Sequence, residues 1–302
     1  METAVSVADE SPGKVEGGLR RLAINVKDAL PGTLIDYLEK TENLNVLINY
    51  PTACSFPFEL ALLENSDGDY RLLGEVHNVA RWPSCAADSP RLQSRNIGRA
   101  AFISDPESLA ESVAEVESHR AALRSVCDTD DYSDLESVRE SVFEATTFGL
   151  LDFVAHMGDQ QGEVGLSIGG EILYPNDFLR KQKQFGNAAV LVFVNACSSI
   201  WEDAQFYSPK SFPQQFIDFH VPAVVASVLP VEPDLALKFG NYFFAALNGG
   251  DSLGNAMRTA RSALMSDDLP DFGAERRRLA AAAYCVFGHP MMPIKFEREH
   301  TG

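Results

Sequence analysis

The run Ala188-Ala189-Val190-Leu191-Val192-Phe193-Val194-Asn195-Ala196-Cys197-Ser198-Ser199 decides the fold. It is apolar without alternation from Ala188 to Val194, rich in β-branched and aromatic residues, and closed by small polar ones. That pattern predicts a strand buried on both faces, the centre of a mostly parallel sheet. Cys197 stands just beyond its carboxyl end, where open α/β sheets carry their chemistry. A thiol there is a candidate nucleophile once a base makes it a thiolate. Upstream, Leu150-Leu151-Asp152-Phe153-Val154-Ala155 is a second strand-like run, and His156 follows it directly. Neighbouring parallel strands, each ending in half of a Cys/His pair, are therefore expected. In such a pair the thiolate attacks a carbonyl carbon, the imidazole carries the proton, and backbone N–H groups in the turns after both strands receive the oxyanion. The other reading left open is a buried structural cysteine beside an ordinary histidine.

Outward from this pair the chain alternates strand and helix, the pattern of an α/β protein. Residues 1–19 are polar and read as a disordered tail. Leu22 to Val26 reads as an edge strand, Leu34 to Leu38 as one or two helical turns, and Leu44 to Tyr50 as an alternating strand. Pro57 to Glu64 reads as a short helix, residues 65–69 as a turn, and Gly74 to Pro83 as a strand ended by its proline. Residues 84–97 read as loop, and Arg99 to Ile103 as a strand before a helix starting at Asp105-Pro106. Asp128 to Ser133 reads as a solvated acidic loop, with a capping box at Ser133-Asp134-Leu135-Glu136. Glu163–Ile168 and Glu171–Tyr174 form a hairpin around Gly169-Gly170. Asn176 to Lys183 and Ser211 to Phe219 read as helices, and Val221 to Leu229 as another buried strand. Pro233 to Leu247 and the segment capped by Asp251 or Ser252 read as helices, and Ala280 to Phe287 as the last strand.

Composition narrows the function. The chain has 302 residues, 45% of them hydrophobic, enough to bury a large core. A net charge of −18 argues against nucleic acid as a direct partner and suits basic substrates. No apolar run reaches membrane-span length, and Met1 to Glu16 has no signal-peptide core, so a cytoplasmic protein is expected. The five cysteines are scattered without a C-x-x-C, which suggests neither a disulfide framework nor zinc. The histidines show no metal-ligand spacing, so no metal or cofactor is expected, and those other than His156 read as surface or packing residues. Gly165-Leu166-Ser167-Ile168-Gly169 matches the G-x-S-x-G elbow in letters, but its serine falls inside a hairpin strand rather than a strand-to-helix turn. Glu232 and Asp234 are candidates to rim a substrate pocket, or simply acidic residues at a helix start.

In order and spacing, these segments resemble the CHAT domain, a caspase-like member of the cysteine peptidase clan that includes caspases, separases and gingipain. Pro57-Phe58-Glu59-Leu60 resembles its Pro-Trp-Glu-Leu segment, Phe153-Val154-Ala155-His156 its histidine strand, and Asn195-Ala196-Cys197 its Ser-Ala-Cys nucleophile segment. Val225 to Val231, Gly250 to Arg261 and Tyr284 to Pro290 resemble its later strand, its closing helix and its terminal strand with Gly-x-Pro.

The resemblance covers about Leu44 to Phe296 and implies a caspase-like three-layer α/β/α sandwich, with residues 20–302 as the CHAT domain and 20–97 as an N-terminal subdomain or elaboration. It implies a cysteine endopeptidase with His156 as base and Cys197 as nucleophile, the oxyanion received by Cys197 and by the Met157/Gly158 turn. Met157 stands where the family has glycine, and Leu229 where it has tryptophan. A catalytically impaired module that binds or assembles is therefore the alternative. The family further implies a protein substrate, a role in bacterial defence or regulated death, and a separate regulatory or sensor protein.

Overall fold

The computed structural model describes residues 12–50, 57–64, 69–83, 90, 92, 94–144, 147–160, 163–174, 177, 189–197 and 212–298. The expected turn at 65–68, most of the helix expected at 176–183, and Ser198 and Ser199 lie outside them.

In chain order the strands are β1 (Asn45–Tyr50), β2 (Leu62–Glu64), β3 (Tyr70–Leu72), β4 (Asn78–Pro83), β5 (Arg95–Ile97), β6 (Arg99–Ser104) and β7 (Asp128–Tyr132). They continue as β8 (Leu150–Gln160), β9 (Glu163–Ile168), β10 (Glu171–Leu173), β11 (Leu191–Cys197), β12 (Ala223–Ser227), β13 (Tyr284–Gly288) and β14 (Ile294–Phe296). The helices are α1 (Pro12–Asp28), α2 (Gly32–Lys40), α3 (Leu73–Val76), α4 (Ser112–Leu123), α5 (Leu135–Ser137), α6 (Phe212–Asp218), α7 (Pro233–Asn248), α8 (Leu253–Ser266) and α9 (Ala274–Ala283).

A ten-stranded sheet runs β1-β4-β13-β12-β11-β8-β6-β7, with the β9–β10 hairpin hung on β8. Pairing along the main path is parallel except between β12 and β13. β11 lies in the middle, and Leu191 to Ala196 are all buried. Its unalternating pattern follows from cover on both faces. On one side Phe193 stacks on Phe243 of α7 at 5.4 Å and meets His119 of α4 at 6.0 Å. On the other, Phe153 of β8 meets Phe216 of α6 at 6.1 Å. Helices on both faces of a mostly parallel sheet give the expected three layers. Edge strand β1 alternates partly buried Val46 and Ile48 with exposed neighbours, as an edge should.

Several segments differ from the sequence reading. Leu22 to Val26 is not an edge strand but the end of α1, which also occupies the expected tail from Pro12 onward. Its buried positions Leu19, Ala23 and Val26 fall at i, i+4 and i+7, a helical spacing that a five-residue window hides. Pro57 to Glu64 splits into a 3₁₀ turn at Phe58–Leu60 and strand β2. Gly74 to Val76 is helical, and β4 starts only at Asn78. Arg95–Ile97, read as loop, is β5. The helix expected from Asp105 begins at Ser112. The acidic segment Asp128–Tyr132 is edge strand β7, paired in parallel with β6 and tied to it by Arg99–Asp130 at 2.7 Å. In the capping box the cap is Asp134, whose carboxylate accepts from Ser137 N. Ala280 to Ala283 end α9, and the strand starts at Tyr284.

The amino-terminal part joins the same sheet through β4–β13 and is fixed by a buried ion pair. Arg81 of β4 donates from Nε and Nη2 to the two carboxylate oxygens of Glu59, and both side chains are nearly inaccessible. Arg261 of α8 lies beside them, donating to the Tyr284 and Gly74 carbonyls at 2.7 and 3.3 Å. Removing one partner of such a pair strands a buried charge. Glu59→Ala is expected to cost about 3–5 kcal/mol, whereas Glu59→Ala with Arg81→Met costs less because Arg81 is no longer stranded, leaving only Arg261 to lose the Glu59 charge. Urea unfolding of the two variants checks this.

Candidate active site

β8 and β11 pair in parallel without a slip from Leu191↔Leu150 to Cys197↔His156. The two residues singled out in the sequence are thus register partners on adjacent central strands, Cys197 at the carboxyl end of β11 and His156 the last residue of β8 that pairs with it. Partners on neighbouring parallel strands lie about 4.8 Å apart. The strands differ beyond that point. β11 ends at Cys197, but β8 runs on to Gln160 and pairs antiparallel with β9 from Met157↔Leu166 and Gly158↔Gly165. The expected turn after His156 is therefore strand. The extension is held by close packing: a Cβ at Gly158 or Gly165 would overlap Ile172 of β10. His156 is half-buried and Met157 buried.

The turn at Gly169–Gly170 has φ of 58° and 76°, the pair of positive angles a tight hairpin needs. Ser167 lies in β9 with its Oγ 3.0 Å from Ser108 Oγ. It is not at a strand-to-helix elbow. Glu232 is the residue before α7 and Asp234 lies in its first turn; the Glu232 side chain makes no capping hydrogen bond. This helix start follows β12, whose carboxyl end lies at the same end of the sheet as Cys197, since β11 and β12 are parallel.

Beneath the His156–Cys197 pair runs a buried polar chain that sequence reasoning did not pick out. Asp152 of β8 and Asn195 of β11 share the strand parity of His156 and Cys197. Both side chains meet α4. Asp152 Oδ2 is 2.7 Å from His119 Nδ1, and Asn195 Nδ2 donates to Glu115 Oε1. Tyr284 of β13 donates its hydroxyl to Asn195 Oδ1 at 2.6 Å. His119 Nε2 lies 3.8 Å from Glu115 Oε1 and against α7, where a Cβ at Gly240 would overlap the imidazole. Both His119 and Asp152 are wholly inaccessible. One signal was available: an aspartate inside the apolar run Leu150 to Ala155 must find a partner once buried.

Burial sets the charges here. Desolvation raises Glu115 to about 7, helped by the Asp152 charge and opposed by His119 and Asn195. Desolvation pushes His119 down, but the charge and hydrogen bond of Asp152 outweigh it and hold the imidazole above its ordinary value. Cys285 and Cys127 are buried thiols pushed up by desolvation, the reverse of what a nucleophile requires. No group of three potential metal ligands occurs among the described residues, and none of their helices is long and apolar enough to cross a membrane.

A large, mostly parallel sheet covered by helices on both faces is a caspase-like architecture. The fold is similar to the Arg-specific cysteine proteinase gingipain R, with a TM-score of 0.59 at 12% identity over 94% of this chain and 77% of that one. It is also similar to the complex of Porphyromonas gingivalis RgpB pro- and mature domains, at 0.55 and 11% over 94% and 78%. Separase of Saccharomyces cerevisiae, in complex with securin, overlays at 0.46 and 16% over 74% of this chain and 14% of that one. At such identities the likeness is one of fold. No curated protein sequence matches. The chain belongs to the CHAT domain family, whose family model matches residues 28–291.

Glu115 makes stability depend on pH. Its folded value, about 7, lies above the ordinary 4.5, so the native state holds a proton that the unfolded chain has lost. Stability is then expected to fall by on the order of 3 kcal/mol as pH rises from 4.5 through 7, and to level off above. The raised His119 adds to the fall in the same direction. Urea unfolding at pH 5 and pH 8 measures the loss, which Glu115→Gln should largely remove; equal losses in both proteins would refute the assignment.

Proposed function

We propose that this chain is a cysteine endopeptidase in which His156 and Cys197 form the dyad. One observation carries the reading: the Cys197↔His156 register, the last pair between β11 and β8. His156 takes the Cys197 proton, and the thiolate attacks the substrate carbonyl carbon. The tetrahedral oxyanion is received by backbone N–H groups of Cys197 and of the Met157–Gly158 segment. Collapse expels the amine, protonated by His156, and leaves an acyl-enzyme. Water, activated by the same imidazole, hydrolyses it and restores the thiol.

The substrate is a protein, with a basic P1 side chain received by Glu232 and Asp234 at the start of α7. The chain works in the cytoplasm as a regulated effector of a bacterial defence or cell-death pathway, controlled by a separate regulatory or sensor protein. A second reading, a caspase-like module that binds without cleaving, is favoured by one finding: Met157 and Gly158 lie in a paired strand rather than in the glycine turn the family pattern implies.

Cleavage of a proteome-derived peptide library, with new amino termini identified by mass spectrometry, separates the readings. Cys197→Ala and His156→Ala should each lower turnover by roughly 10³-fold or more. Glu232→Gln with Asp234→Asn should selectively weaken cleavage after Lys and Arg. Proteolysis that survives Cys197→Ala would sink the dyad, and its absence from the wild-type chain, with every candidate activator added, would leave the binding module.

A further inference from the structure

The buried chain under the dyad is oddly placed for a device that only adds stability. Its strand members stand four residues before His156 and two before Cys197, on the same face of the same two strands. Each is bound to the same helix, α4, one turn apart: Asp152 to His119 and Asn195 to Glu115. The Asn195 amide is fixed at both ends, since Tyr284 donates to its oxygen while its nitrogen donates to Glu115. Tyr284 is itself immobilised, stacked on Phe239 of α7 with centroids 3.9 Å apart and planes 4° from parallel. Apolar side chains at these positions would pack without desolvation cost, but would specify no relative position of helix and strands. A hydrogen-bonded amide does, because it accepts only one orientation and one offset.

We infer that Glu115, Asn195 and Tyr284, with the His119–Asp152 pair beside them, are positioning residues that hold the His156 stretch of β8 and the carboxyl end of β11 in the offset the dyad requires. This rests on the dyad reading above. The charged groups that bear on Glu115 are His119 on its own helix and Asp152 on β8; β11 and β13 present the neutral Asn195 and Tyr284, and α7 presents Gly240 and Phe244 to His119. While Glu115 keeps its proton, one imidazolium faces one carboxylate. Ionisation strengthens the Asn195 hydrogen bond, but it also buries a second carboxylate beside the first, and this desolvation and repulsion, which outweigh that bond, loosen the packing of α4 on the strands. Reactivity of Cys197 is thus expected to fall as Glu115 ionises, against the ordinary trend for a thiol, which rises with pH.

The test is the alkylation rate of Cys197 by iodoacetamide, followed on its own peptide by mass spectrometry from pH 5.5 to 9, in the full chain. Glutamine accepts from Asn195 as glutamate does but cannot ionise. The wild-type to Glu115→Gln rate ratio should therefore be near one at pH 6 and fall roughly tenfold by pH 8, while Tyr284→Phe slows alkylation roughly tenfold throughout. A merely structural role would lower the melting temperature and leave the ratio flat with pH. A flat ratio, with His156→Ala still slowing alkylation, overturns the crosslink and leaves the dyad standing. Alkylation indifferent to His156→Ala overturns the dyad itself. Should Tyr284→Phe fail to fold, the Glu115→Gln ratio decides alone.

Discussion

Everything at the carboxyl end of this sheet depends on the unslipped parallel pairing of β8 with β11. Side chains on a strand alternate faces, so a shift of one residue would send His156 and Cys197 to opposite sides. Parallel strands lack a tight turn to fix their offset, and the residues between these two span more than a hairpin. The offset must come from side chains. Phe193, buried among Phe243, Phe244 and Tyr284, has room on only one face. Asp152 and Asn195 add a stricter demand, because a buried polar group that misses its partner costs free energy outright.

Much of this was legible in the sequence, for reasons that can be named. Strands covered on both faces leave apolar runs that nothing else explains, which made β8, β11 and β12 readable together with the residues at their ends. Capping chemistry gave the start of α8, where Ser252 accepts from Asn255 N. Other parts were hidden by local ambiguity. The segment ending α1 holds β-branched residues that suit a strand, and its helical spacing shows only over a longer window. β7 carries Asp128, Asp130 and Asp131, which look like loop until Arg99, Arg120 and Arg298 are folded against them.

The polar chain was hidden for a different reason. Apart from the aspartate inside the apolar run of β8, each member is unremarked alone: a glutamate and a histidine on a helix, an asparagine in a strand, a tyrosine at a strand start. Their joint burial is a tertiary fact, and no spacing rule links Glu115 to Tyr284. The amino-terminal staple is similar. Glu59 falls in a segment that the family resemblance marks, yet its partner Arg81 sits in a segment read only as a strand ended by Pro83.

The absence of a side chain at Gly240 has a mechanical meaning. The His119 ring occupies the space a methyl group would fill on α7, so the two helices mesh there like a tooth and a notch. Sliding α4 along its axis would drive the ring into the neighbouring turns of α7 rather than past them. The helices must therefore travel as one body, and Glu232 and Asp234 at the head of α7 travel with them. Because α4 is also hydrogen-bonded to Asp152 of β8 and Asn195 of β11, a push on its outer surface would be felt by those two strands as well as by the start of α7.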